Sequence, residues 1–145
     1  MAEAAKTVEK EPGDDGLEVH VTGLPYELDQ GLGEKARIGL IVLATDQTIE
    51  YEFKRCLNIP GVNLYHSRIA NAATITPETL AAMADDISQC TEVIMPGLPM
   101  DVIAYACTSG SMVIGPDVVR DKIHAARPGV ATTTPMEATV VALKA

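Results

Sequence analysis

From residue 36 onward the chain alternates between continuous apolar runs of strand length and stretches in which apolar residues recur every three or four positions. ARIGLIVLATD (36–46) is an unbroken apolar run ending in small polar residues, the pattern of a strand buried on both faces. QTIEYEFKRCLN follows and puts Ile49, Phe53, Cys56 and Leu57 on one helical face. GVNLYHSRI (61–69) predicts a second strand. Thr76-Pro77-Glu78 opens the next helix with a hydroxyl N-cap and Pro at the first helical position. Along that helix Leu80, Met83, Ile87, Cys90 and Ile94 recur at spacings of four, three, four and three, until MPGLPM ends it. DVIAYAC predicts a third strand, PDVVRDKIHAA from Pro116 a third helix, GVATTT a short fourth strand, and PMEATVVALKA a last helix.

Strand and helix thus alternate four times with short connections. The fold class that follows is α/β, a four-stranded parallel sheet with helices on both faces and right-handed crossovers. Ligands of such sheets sit beyond the carboxyl ends of the strands. Three of those ends here, ATDQT, ACTSGS and TTTP, are rich in hydroxyls, and the fourth is HSR. Residues 1–35 are Gly- and acid-rich with weak periodicity, which predicts an acidic, poorly ordered arm ahead of an α/β domain over 36–145.

Charge follows the same division. Of the formal −9, the arm holds nine acids against three lysines, and the rest of the chain eleven acids against eight bases. With no basic stripe to neutralise phosphates, nucleic acid is not an expected partner. The longest apolar runs are strand-sized, so no membrane span is expected, and the N-terminus lacks a secretory h-region; a cytoplasmic chain is the default. Aromatic residues make up 3% with no tryptophan, which disfavours a carbohydrate or base-stacking surface. Three widely spaced cysteines read as free thiols, and neither a CxxC nor a His at ligand spacing suggests a metal site.

Cys56 and Cys90 fall on apolar helical stripes, where a thiol packs as a small hydrophobe. Cys107 differs, because it ends the third strand just before TSGS and a helix start. Oriented N–H groups at such a position favour thiolate, although a buried filler is the blander reading. Thr108, Ser109 and Ser111 are either turn and cap residues or a carboxylate cradle, with Gly110 and Gly115 allowing close backbone approach. Asp46 either caps the helix after the first strand or orients a substrate. His66 and Arg68 lie on one side of the second strand, as an internal ion pair or an anion site. No Gly-x-Gly-x-x-Gly, Walker or Gly-x-Ser-x-Gly pattern occurs, so nucleotide binding and serine hydrolysis are not favoured.

In order along the chain, RIGLIVLATDQTIEYEF, LYHSRIANAATITPETL, DVIAYACTSGSMVIG and TTTPMEA resemble the Asp/Glu racemase superfamily. The branch is that of maleate cis–trans isomerases, arylmalonate decarboxylases and racemase-like ectoine-utilisation proteins, and ATDQTIE looks most like the last. The likeness covers about residues 36–145. It implies a flavodoxin-like half of a two-domain enzyme, with no cofactor and with a cysteine from each half facing a small carboxylic or amino acid. Carried over, Cys107 is the catalytic thiol of this half, acting as acid/base or nucleophile. Thr108 and Ser109 would hold the substrate carboxylate, and Thr133 and Thr134 match a hydroxyl pair facing the cleft. Asp46 stands where maleate isomerases carry an asparagine.

The second cysteine of that family has no counterpart among strand ends here. The chain is therefore expected to correspond to an N-terminal half, completed by a C-terminal half or by a homodimer that brings two Cys107 thiols together. The functions that the resemblance implies are a racemase or isomerase, of ectoine catabolism by the ATDQTIE likeness, with an arylmalonate-type decarboxylase or a truncated, inactive or binding-only domain as the alternatives.

Overall fold

A computed structural model describes residues 8–9, 20–21, 23–29 and 31–145. The chain divides into two units, Met1–Gly31 and Leu32–Ala145. In the first, two short strands, β1 (Val8–Glu9) and β2 (His20–Val21), pair antiparallel. The rest of the acidic arm expected over 1–35 lies largely outside the described residues.

The second unit carries the α/β fold. Its elements are β3 (Ala36–Leu43), α1 (Ile49–Cys56), β4 (Val62–Ile69), α2 (Pro77–Ala82), α3 (Ile87–Glu92), β5 (Val102–Ala106), α4 (Thr108–Ile114), α5 (Pro116–Ala126), β6 (Ala131–Thr133) and α6 (Pro135–Lys144). The four strands form one parallel sheet in the order β4-β3-β5-β6. The first crossover runs to one side of β3 and the later ones to the other, which puts their helices on opposite faces of the sheet.

Residue alternation identifies the two faces. Ile41, Ile69, Ile103 and Tyr105 point to one face and form the core with Met83, Ile87, Ile94, Val119 and Ile123 from the helical segments between β4 and β6. Gly39 lies on the same face beneath Ile103, where a Cβ would come within 3.0 Å of the Ile103 side chain. Leu40 and Val42 are fully buried on the opposite face. There His66 and Arg68 of β4 meet Glu50 of α1, which places α1 on that side.

Two expectations change in the structure. The amphipathic stripe from Leu80 to Ile94 is one pattern but not one helix, because the chain tightens into a 3-10 turn over Met83–Asp85 between α2 and α3. Asp86 N–H there bonds back three residues to the Met83 carbonyl at 3.2 Å. Cys56 was expected to pack on an apolar face, yet it is exposed, and no residue of α1 is buried. Tyr51 of the same helix is also open to solvent. Among the described residues, no helix is long and apolar enough to cross a membrane.

Candidate active site

β3 and β5 lie side by side in the sheet, but their connections leave toward opposite edges. The crevice at such a reversal is where ligands of open parallel sheets bind. Val42 pairs with Ala106 in the register, so Leu43 and Cys107 follow next to each other at the carboxyl ends. A cleft of about 360 Å³ opens at this place. Its walls come from the end of β3 (Leu43, Thr45), the β4–α2 loop (Asn71 to Ile75), α2 with the following turn (Thr79, Leu80, Met83), and the start of α4 (Cys107, Ser109).

Cys107 is the N-cap of α4. Its backbone is extended, and its Sγ accepts the Gly110 N–H at 3.2 Å, in the way a capping oxygen would. Cys107 as a residue is only 8% exposed, and it lines the cleft. Gly110 is fixed by the same contact. A Cβ there would stand 2.7 Å from Tyr105 Oη, 3.0 Å from Cys107 Sγ and 3.1 Å from Met83 Cε. The close approach that glycine permits at this position is therefore to the protein's own side chains. Tyr105, wholly buried beneath, has its hydroxyl near Met83 Sδ at 3.9 Å, and burial holds it protonated far above the usual tyrosine range.

The other two thiols have different surroundings. Cys90 is partly buried against the core, with its Sγ 3.7 Å from the Arg68 carbonyl; burial, helped by nearby Asp86, pushes its thiol up. Cys56 is exposed on α1, away from the cleft.

The remaining candidate residues divide between the cleft and the scaffold. Ser109 lines the cleft next to Cys107. Thr108 is exposed in the first turn of α4, where its carbonyl accepts the Ser111 hydroxyl at 2.9 Å. Asp46 directs Oδ1 at the backbone N–H groups of Thr48 and Ile49, both at 2.8 Å, and is not among the cleft residues. Those two N–H bonds, with Arg68 adding a smaller effect, hold its carboxyl below the usual range. Thr134 is buried as the N-cap of α6, bonded to the backbone and carboxylate of Glu137. Thr133, half-buried, ends β6. His66 and Arg68 both meet Glu50, at 3.3 and 2.8 Å, as the ion-pair reading of these residues anticipates.

Asn71 and Thr74 of the cleft escape a reading of strand ends, and Thr45 belongs to the strand end ATDQT but is not singled out within it. Thr45 and Asn71 are 26 positions apart, yet the Thr45 hydroxyl lies 3.2 Å from Asn71 Oδ1 and 3.1 Å from its Nδ2. ANAAT lies just past the strand end HSR, and that position was the available signal. Among the described residues, no three His, Cys, Asp or Glu side chains gather as a metal site requires. Chemically, the cleft offers one thiol, several hydroxyls, one primary amide and an apolar wall.

Comparisons with known proteins bear on the chain as a whole. No family model matches the chain. A maleate isomerase from Nocardia farcinica is 39% identical over 82 residues, which are 55% of this chain and 32% of that protein. A solved maleate cis-trans isomerase from Nocardia farcinica, bound to TRIS, superposes with a TM-score of 0.60 at 28% identity. The maleate isomerase of Pseudomonas putida S16 does so at 0.59 and 21% identity, a likeness of fold. Each superposition covers 75% of this chain and 48% of the other, so the chain spans about half the length of the solved structures it matches. The chain is thus similar in sequence to one maleate isomerase, and similar in fold to about half of the solved maleate isomerases.

Proposed function

We propose that this chain supplies one side of the active site of a cofactor-independent isomerase or racemase for a small carboxylic or amino acid, with Cys107 as its reacting group. The observation that carries the reading is the position of Cys107. Cys107 is buried yet lines the cleft, at the carboxyl end of β5 beside the switch in strand order. Similarity to maleate isomerases supports the reaction class.

In the isomerase form, the Cys107 thiolate adds to one alkene carbon of an unsaturated acid. The π electrons move toward the carboxylate and give an enediolate, which hydroxyl donors such as Ser109 stabilise. The former double bond rotates, the C–S bond breaks, and the alkene re-forms with the opposite geometry. In the racemase form, the same sulfur instead exchanges a proton at the α-carbon. The ATDQTIE motif's likeness to ectoine-utilisation proteins favours an amino-acid-derived substrate, and arylmalonate-type decarboxylation is the alternative outcome at the same enediolate.

Alkylation by iodoacetamide at neutral pH, read by mass spectrometry at each cysteine, tests the role of Cys107. Because Cys56 is exposed, a Cys56→Ser background isolates the signal. Labelling of Cys107 that is faster than that of Cys90 and is slowed by maleate or another small acid is the expected result. Indifference of Cys107 to every small acid sinks the reading. Solvent-deuterium incorporation at the α-carbon then separates proton transfer from isomerisation through an adduct.

A further inference from the structure

Tyr105 is wholly buried yet ends in a hydroxyl, and that group's partner is a weak acceptor, the Met83 thioether at 3.9 Å. A buried tyrosine hydroxyl ordinarily meets a better one. Alternation along β5 points Tyr105 and Cys107, two residues apart, to the same face of the sheet, and both belong to one buried cluster. Tyr105 Oη lies 2.7 Å and Cys107 Sγ 3.0 Å from the point that a Cβ on Gly110 would take, so the two atoms are at most 5.7 Å apart. Glycine at 110 puts no side chain between them.

Resting on Cys107 as the reacting group, we infer that Tyr105 is a positioning residue for its sulfur. The hydroxyl bonds to Met83 while Cys107 is a thiol, and turns to Cys107 Sγ when that sulfur is charged. A thiolate is a far stronger acceptor than a thioether, and rotation about the C–O bond with a small shift of the ring brings the hydroxyl onto it. The Gly110 N–H is already on Sγ at 3.2 Å, so the charged sulfur then has two donors, one from the backbone and one from a side chain. The proton stays on the tyrosine oxygen throughout, because burial, and next the thiols of Cys107 and Cys90, oppose a tyrosinate there.

No neighbouring group takes this part instead. None of the residues lining the cleft is charged. Among the described residues packed on the same core, the other titratable side chains are Tyr65 of β4 and Cys90 of α3, and the Cys90 sulfur faces the Arg68 carbonyl. The nearby acids are engaged elsewhere: Asp85 with Lys122, Glu137 with the Thr134 cap, and Asp86 beside Cys90.

The test follows iodoacetamide alkylation of Cys107 in the full chain with Cys56→Ser, at about pH 7 and about pH 10, and takes the ratio of the first rate to the second. The thiolate is the reacting form, so the ratio reports charge on the sulfur, while access changes both rates alike. Tyr105→Phe keeps the ring and removes the donor. It is expected to slow the reaction about threefold to tenfold at the lower pH, the effect of a lost charge-assisted bond, and to leave it near the parent rate at the higher. Met83→Leu keeps the volume and removes the competing acceptor, and is expected to raise the ratio about twofold or more. An unchanged ratio in Tyr105→Phe, including equal slowing at both pH values, overturns the inference. If that variant does not fold, an unchanged or lower ratio in Met83→Leu overturns it. These rates are read without a substrate, so the inference can fail while small acids still protect Cys107, and the proposed function can fail while the ratios hold.

Discussion

Arg68 and Glu50 meet at 2.8 Å, and the same guanidinium reaches the carbonyl oxygens of Leu43, Ala44 and Asp46 at 3.3, 3.1 and 2.9 Å. The β4 side chain thus closes the end of β3, and two residues past that end Thr45 lines the cleft. Both partners of the ion pair are partly exposed, so the pair alone contributes at most about 1 kcal/mol. With the carbonyl contacts included, Arg68→Ala is expected to cost about 1–2 kcal/mol in urea unfolding. Arg68→Lys should recover only part, since an ammonium cannot reach three carbonyls and a carboxylate as a planar fork does.

Gly110→Ala tests the crowding beneath Cys107. Alanine is the better helix former, and at an open position it would stabilise α4. Here its Cβ meets Tyr105 Oη, Cys107 Sγ and Met83 Cε in a closed space, so a loss of about 1–3 kcal/mol is expected. The Cys107 alkylation rate should change with it, because the new methyl presses on the sulfur.

Asp46 makes stability depend on pH in the acid range. Its folded carboxyl is held below the usual value by the N–H groups of Thr48 and Ile49 and by Arg68. Stabilisation by the charged form is therefore fully present above the unfolded value of about 3.9 and is lost as pH falls through the lower folded value. Asp46→Ala should cost about 0.5–1 kcal/mol at neutral pH, as for a lost cap, and the difference from the parent should shrink below pH ~4. Thermal melts of both proteins across that range measure this.

Arg127 holds the break between α3 and β5. Its guanidinium donates to the carbonyls of Ile94, Met95 and Leu98 at 2.6, 3.0 and 3.1 Å, tying the segment that follows α3 to the end of α5. Met95, in this segment, has a positive φ of 43°. Arg127→Ala is expected to destabilise by about 1.5–3 kcal/mol, measured by chemical unfolding.

What the sequence made legible was whatever depends on local periodicity and local chemistry. The buried runs 36–43 and 102–106 became central strands, and Thr76-Pro77 became a capped helix start, with Thr79 N–H on the Thr76 hydroxyl. Cys107 proved to sit at a strand end because its flanks carry both signals, an apolar run before and a helix start after. The 3-10 turn at Met83–Asp85 was hidden, since a short tightening leaves the spacing of Leu80, Met83 and Ile87 intact. Exposure of Cys56 was hidden because amphipathicity states which face is apolar, not whether anything covers it. The Thr45–Asn71 pair was hidden because it exists only once β3 and β4 lie parallel, with Leu43 opposite Ile69.

The uncharged lining of the cleft has a consequence for ionic strength. A site built on arginine or lysine gathers anions through a long-range field, which added salt shortens to a few ångströms. Hydroxyls and an amide act through dipoles at contact distance, where mobile ions do not intervene. Small acids should therefore bind this cleft with nearly the same affinity in dilute buffer and in concentrated salt. Their discrimination would rest on shape and donor placement, not on attraction from afar.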